Sequence, residues 1–157
     1  MLEWASSKGL FKGGSVVRAE QATVRRFFEQ IDTGEPAILD EFIAQGYDDH
    51  NPPPFPNLPP GIDGARRAFD LALAGFAEFR HEILDQVAEG DKVVTRIRGS
   101  GKHTGDFLGI PATNREVTME GIAVHRIANG RIVEHWSTID ALGLLVQLGV
   151  VQPPGGG

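Results

Sequence analysis

The hydropathy period of this chain changes once, and that change governs what it can fold into. Up to residue 78 the apolar residues recur at helical spacing; beyond it they alternate. Val24, Phe27, Phe28 and Ile31 stand at i, i+3, i+4 and i+7, which predicts an amphipathic helix over 19–33. Gly34 ends it. Pro36 opens a second helix, whose apolar stripe is Ile38, Leu39, Phe42 and Ile43. A third is predicted over 62–78, with Ile62, Ala65, Phe69, Leu73 and Phe76 on one side. Between the second and third, the stretch from Gly46 to Gly61 holds six of the ten prolines: Pro52, Pro53, Pro54, Pro56, Pro59 and Pro60. Proline has no N–H to donate, so this segment is read as a loop that cannot enter a central ladder.

In the second half, His81, Ile83, Asp85 and Val87 alternate up to the turn Glu89-Gly90-Asp91. Val93, Thr95 and Ile97 then alternate with Val94, Arg96 and Arg98. A glycine-rich loop (Gly101, Gly105, Gly109, Pro111) leads to a third strand over 115–127. Asn129-Gly130, between Ile127 and Ile132, is a strong hairpin signal. The fourth strand runs to 139, and a short helix with Leu142, Leu144, Leu145 and Leu148 closes the chain. Helices first and a strand meander after is an α+β pattern. Its 157 residues suffice for one domain, expected over 18–151. The first 17 residues show no clear periodicity and are expected to be poorly ordered, and 152–157 is expected to be a flexible tail.

The charge balance excludes several functions. With 15 Lys+Arg against 21 Asp+Glu, and no basic block longer than two, a nucleic-acid partner is not expected. Without cysteine there are no disulfides, thiolate nucleophiles or Cys-zinc sites. The five histidines show no H-E-x-x-H or similar spacing, so no built metal site is expected. Gly99-Ser100-Gly101-Lys102 matches part of a phosphate loop, but Arg96 holds the distal glycine position and His103 follows the lysine. No apolar run approaches the roughly 18 residues of a membrane span. The N-terminus lacks a basic start with an apolar stretch, so a cytoplasmic protein is expected.

From about Glu20 to Val150 the chain resembles the SnoaL-like polyketide cyclase family, within the nuclear transport factor 2-like superfamily. The resemblance is carried by Asp49-His50-Asn51-Pro52, Gly61-Ile62-Asp63-Gly64, Gly90-Asp91-Lys92-Val93 and Gly101-Lys102-His103-Thr104-Gly105. It continues through Phe107-Leu108-Gly109-Ile110-Pro111, Arg126 to Ile132, Glu134-His135-Trp136, Asp140 and Gln147-Leu148-Gly149. It implies a cone-shaped half-barrel: a strongly curved, mainly antiparallel sheet wrapped by N-terminal helices, with an internal pocket and usually a homodimer. It also implies intramolecular aldol ring closure of a small apolar carbonyl compound, without metal or cofactor, through one pocket aspartate. That aspartate aligns with Ser137, and Asp140 matches a second common family aspartate. His50 matches a pocket position.

A two-residue Asn129-Gly130 loop places Ile127 opposite Ile132, His125 opposite Glu134, Ala123 opposite Trp136 and Gly121 opposite Thr138. One face then carries His125, Glu134, Trp136 and Thr138, with room left by Ala123 and Gly121; the other carries Ile122, Val124, Val133, His135 and Ser137. A single bulge would exchange the two. A carboxylate beside an imidazole suits general base work, so His125 with Glu134 is the expected proton-transfer pair, with Asp140 in reserve. A solvated cross-strand ion pair is the plainer alternative. His50 and Arg96 are candidate polarising donors and Trp136 a candidate apolar wall, though turn capping, surface charge and core packing fit them as well. An Asp-Arg-Asp epoxide hydrolase site would need an aspartate where Arg98 stands. A non-catalytic binding or dimerisation module stays open as the third reading.

Overall fold

The computed structural model describes residues 10–152 and Gly155, with side chains from residue 19 onward. The expectations for 1–9 and for most of the tail lie outside the described residues. Helix α1 (Leu10–Ile31) starts nine residues before the predicted segment, within the stretch expected to lack periodic structure, ends two residues short of it, and buries Val24, Phe27 and Phe28. Gly34, at φ +76°, turns the chain into α2 (Ala37–Phe42), entered through Pro36.

The first difference from the sequence reading comes next. Ile43 does not extend α2 but starts a strand, β1 (Ile43–Asp49), ahead of the prolines. The proline loop then leads to α3 (Gly61–Gly75). Phe76 starts β2 (Phe76–Glu89), so the third helix ends three residues early. The reason lies across the sheet: Phe76 pairs with His103 at the end of β3 (Lys92–His103). Gly101, expected in a loop, is therefore a ladder residue, as is Gly99. A Cβ at Gly99 would stand 2.6 Å from the Phe79 ring, and one at Gly101 2.9 Å from it. Glycine is needed there because Phe79 lies across the strand.

Strands β4 (Glu116–Ala128) and β5 (Arg131–Ile139) form the expected hairpin, with Asn129 and Gly130 both at positive φ. The spatial order is β1-β5-β4-β3-β2. β1 runs parallel to β5 and every other pair is antiparallel, so the sheet is mixed and open. α1 lies against β2 and β3, and α3 against β1 and β2. The main core gathers Val24, Phe27, Phe28, Leu39, Phe42, Ile62, Val93, Ala123 and Ile132 between these helices and one sheet face. A smaller cluster of Phe76, Val117, Leu144 and Leu148 lies beneath α4 (Ala141–Leu148). Among the described residues no helix is long and apolar enough to cross a membrane.

Candidate active site

The β4–β5 hairpin starts in the expected register and then leaves it. Ile127 pairs with Ile132, but the next pair is Arg126 with Glu134, because Val133 is an extra residue in β5. One inserted residue reverses the alternation of everything beyond it. His125 therefore lies opposite His135, Ala123 opposite Ser137 and Gly121 opposite Ile139 on the helix-covered face. Arg126, Val124 and Ile122 share the outer face with Glu134, Trp136 and Thr138. The expected His125–Glu134 pair does not form. Nor does Gly121 leave empty room: a Cβ there would meet the Thr138 carbonyl oxygen at 2.8 Å.

Most of the other candidates sit outside as well. Glu134 binds Arg126 at 2.8 Å, and that guanidinium holds its carboxyl below the usual carboxylate range. His50 stacks on Trp136 with ring centroids 4.3 Å apart and Lys92 Nζ lies 5.3 Å from the Trp136 ring, so neither His50 nor Trp136 lines the interior. Arg96 faces Ile122 across the ladder and lies 4.0 Å from Glu120, an outward position that removes the arginine an epoxide hydrolase site requires. Asp140 caps α4 by accepting the Gly143 N–H at 2.8 Å. Asp140→Ala is expected to lower stability by about 1 kcal/mol, the usual cost of a lost N-cap. Turnover should not change, and thermal denaturation beside an activity assay checks both. Glu134→Gln should likewise leave turnover unchanged; a large loss would return Glu134 to the chemistry.

His125, His135 and Ser137 remain on the inner face, and β1 adds what the sequence reading missed. Parallel pairing brings Asp49 beside His135, 86 residues away, with Asp49 Oδ1 3.2 Å from His135 Nδ1. An ionised carboxylate only accepts, so the His135 proton sits on Nδ1 and the Nε2 lone pair is left for chemistry. The Tyr47 hydroxyl donates to the other Asp49 oxygen at 3.3 Å, and the Asn51 N–H donates to Oδ1 at 3.1 Å. Burial pushes the Asp49 carboxyl up, but the bonds from His135, Asn51 and Tyr47 outweigh it, and the group lies below its ordinary range. Burial, followed by the Asp49 charge, raises the Tyr47 phenol, which stays protonated and donating.

Beyond His135 stands His125, rings stacked with centroids 5.0 Å apart. Phe27 and Phe28 close over it edge-on, and its Nδ1 has no partner. Burial first, and then His135, push its pKa down to about 3. A base must accept a proton near neutral pH, and this ring resists doing so. On the Asp49 side lies a cleft of about 790 Å³ that takes in Tyr47, Asp49, Pro52, Pro53, Pro59, Pro60 and the start of α3. Four of the six loop prolines thus line it. Among the described residues no group of three or more His, Cys, Asp or Glu is placed to hold a metal ion.

The model of the SnoaL-like polyketide cyclase family matches residues 22–148. The aklanonic acid methyl ester cyclase DnrD of Streptomyces peucetius is 32% identical over 133 residues, covering 83% of this chain and 90% of that protein. The nogalonic acid methyl ester cyclase of Streptomyces nogalater is 33% identical over 123 residues, or 74% of this chain and 87% of that protein. Among solved structures, TsrD from Streptomyces laurentii has a TM-score of 0.76 at 32% identity, covering 85% of this chain and 97% of its own.

Proposed function

The chain belongs to the SnoaL-like polyketide cyclase family, and from that premise we propose that it closes a ring in a polyketide-derived methyl ester by an intramolecular aldol reaction, without metal or cofactor. The observation that carries this reading is the Asp49–His135 pair on the inner face. The family resemblance assigns proton transfer to an aspartate at the position of Ser137, and serine without an adjacent base does not perform it near neutral pH. His135 stands two residues earlier on the same strand and the same face, about 7 Å away. It supplies the missing base. Asp49 fixes its tautomer and stabilises the imidazolium that forms. His135 Nε2 takes a proton from the acidic carbon between ester and ketone. The carbanion attacks a second carbonyl of the same molecule, held near it by the cleft. Protonation of the resulting alkoxide completes an isomerisation that needs no co-reactant.

The test is ring closure of a synthetic aromatic β-keto methyl ester bearing a pendant ketone, followed by chromatography with chelator present. Product formation above the buffer rate is the expected result. Saturable binding of the ester without any product would overturn the reading in favour of a binding module.

A further inference from the structure

Parallel pairing alone does not explain why Asp49 meets His135. The β1–β5 ladder pairs Ile43 with Ile132 and next Asp48 with Glu134, so five steps along β1 match two along β5. A ladder interrupted in this way does not carry its register into the site. Nor can it continue past Asn51, because Pro52, Pro53 and Pro54 have no N–H to donate. Just beyond β1, His50 N–H donates to the His135 carbonyl at 2.9 Å, and the next donor, Asn51 N–H, turns back to Asp49. Side chains alternate along a strand, so the residues that follow Asp49 and His135 meet on the opposite face. These are His50 and Trp136. Their rings lie parallel, with 1° between planes and centroids 4.3 Å apart. The end of the ladder thus carries the dyad inside and a stacked ring pair outside. The His50 side chain is 37% exposed, and the main core forms without it. Its Nε2 lies 3.9 Å from Glu134, but Arg126 engages that carboxylate at 2.8 Å, so the stack rather than the ion pair ties the two strands here.

We propose that His50 and Trp136 are positioning residues for the dyad: their stack outside holds Asp49 against His135 inside and keeps the His135 proton on Nδ1. The consequence for turnover rests on the ring-closure reading; the consequence for the tautomer does not. A slip of β1 by one residue separates both pairs at once, because the same two strands carry them. Asp49 then no longer accepts from Nδ1. The ring is free to hold its proton on Nε2, and the lone pair is lost from that nitrogen. His50 and Trp136 act through Asp49 and His135 from the outer face, and neither enters the chemistry itself.

Isotope-labelled histidine reports the tautomer of each ring by NMR at alkaline pH, where free imidazole is neutral. A second carboxylate–imidazole pair supplies an internal reference. Asp32, directly after α1, meets His81 Nδ1 with Oδ1 at 2.6 Å, at the opposite edge of the sheet from β1. His50→Leu and Trp136→Leu should lose the Nδ1–H form of His135 and keep that of His81. They should also lower kcat by about 10²-fold with KM little changed, the cost of a base misplaced by a small distance. His50→Phe restores a ring over Trp136 and should recover the His135 tautomer and most of kcat. If Trp136→Leu does not fold, His50→Leu and His50→Phe decide, since His50 lies outside the core. An unchanged His135 tautomer and kcat in the leucine variants, with His135→Gln inactive, would overturn this inference and leave the ring-closure reading standing. Loss of the His81 form together with that of His135 would also overturn it, as a general loosening of the sheet. Loss and recovery of the His135 tautomer alone, in a chain that closes no ring, would uphold the positioning role and remove the ring-closure reading.

Discussion

Glutamine in place of His135 is expected to cut ring closure by about 10²–10⁴-fold, the range a positioned base contributes, with little change in thermal midpoint. Glutamine keeps the polarity and most of the volume of the ring but cannot carry the proton away. Asp49→Asn should produce a loss of similar order by a different route. The amide can donate to Nδ1, which moves the imidazole proton to Nε2 and removes the lone pair from the reacting side. Circular dichroism and a saturation curve separate this from misfolding: kcat falls while the substrate still binds. Restoring a carboxylate two residues along the strand, as Ser137→Asp in the His135→Gln background, should recover part of the rate. Full turnover in both His135→Gln and Asp49→Asn would remove the dyad from the mechanism.

Acid should unfold the chain through His125. Its folded-state pKa of about 3 lies far below the value near 6.5 of an exposed histidine. Between those limits the unfolded chain binds a proton that the folded chain refuses. The stability linked to this ring is therefore complete above about pH 6.5 and falls with pH by about 1.4 kcal/mol per unit down to about pH 3. His125→Phe keeps a ring against Phe27, Phe28 and His135 and removes an Nδ1 that has no partner. The variant should match the unsubstituted chain near pH 7 and exceed it increasingly at pH 5 and pH 4, as read from denaturant midpoints. Parallel pH profiles for the two chains would overturn this assignment.

Much of the fold is legible along the chain because it rests on local chemistry. The stripe Val24, Phe27, Phe28 and Ile31 can only be a helix face, and Asn129-Gly130 can only be a tight turn between strands. The candidate site is far less legible. Asp49 and His135 are two members of motifs that carry the family resemblance, yet nothing near either residue says that they meet. β1 is hidden by its neighbourhood: it ends just before the prolines and borrows Ile43 from what looks like a helical stripe. Tyr47 and Asp49, two apart and both less exposed than Asp48 between them, were the available period-2 signal. Asp32 and His81, 49 residues apart, were legible only as a helix end and a strand residue.

The sequence by itself determined the helices, four of the five strands, the tight hairpin turn and the family, since each depends on side chains within a few positions of one another or on motifs in order. Which histidine works with which carboxylate was decided only by the tertiary structure. Val133 adds one residue to β5, and side-chain direction in a strand alternates every residue, so that single addition sends Glu134 outward and His135 inward. The parallel pairing of β1 with β5 then supplies Asp49 from the far side of the chain. Local propensity encodes neither step.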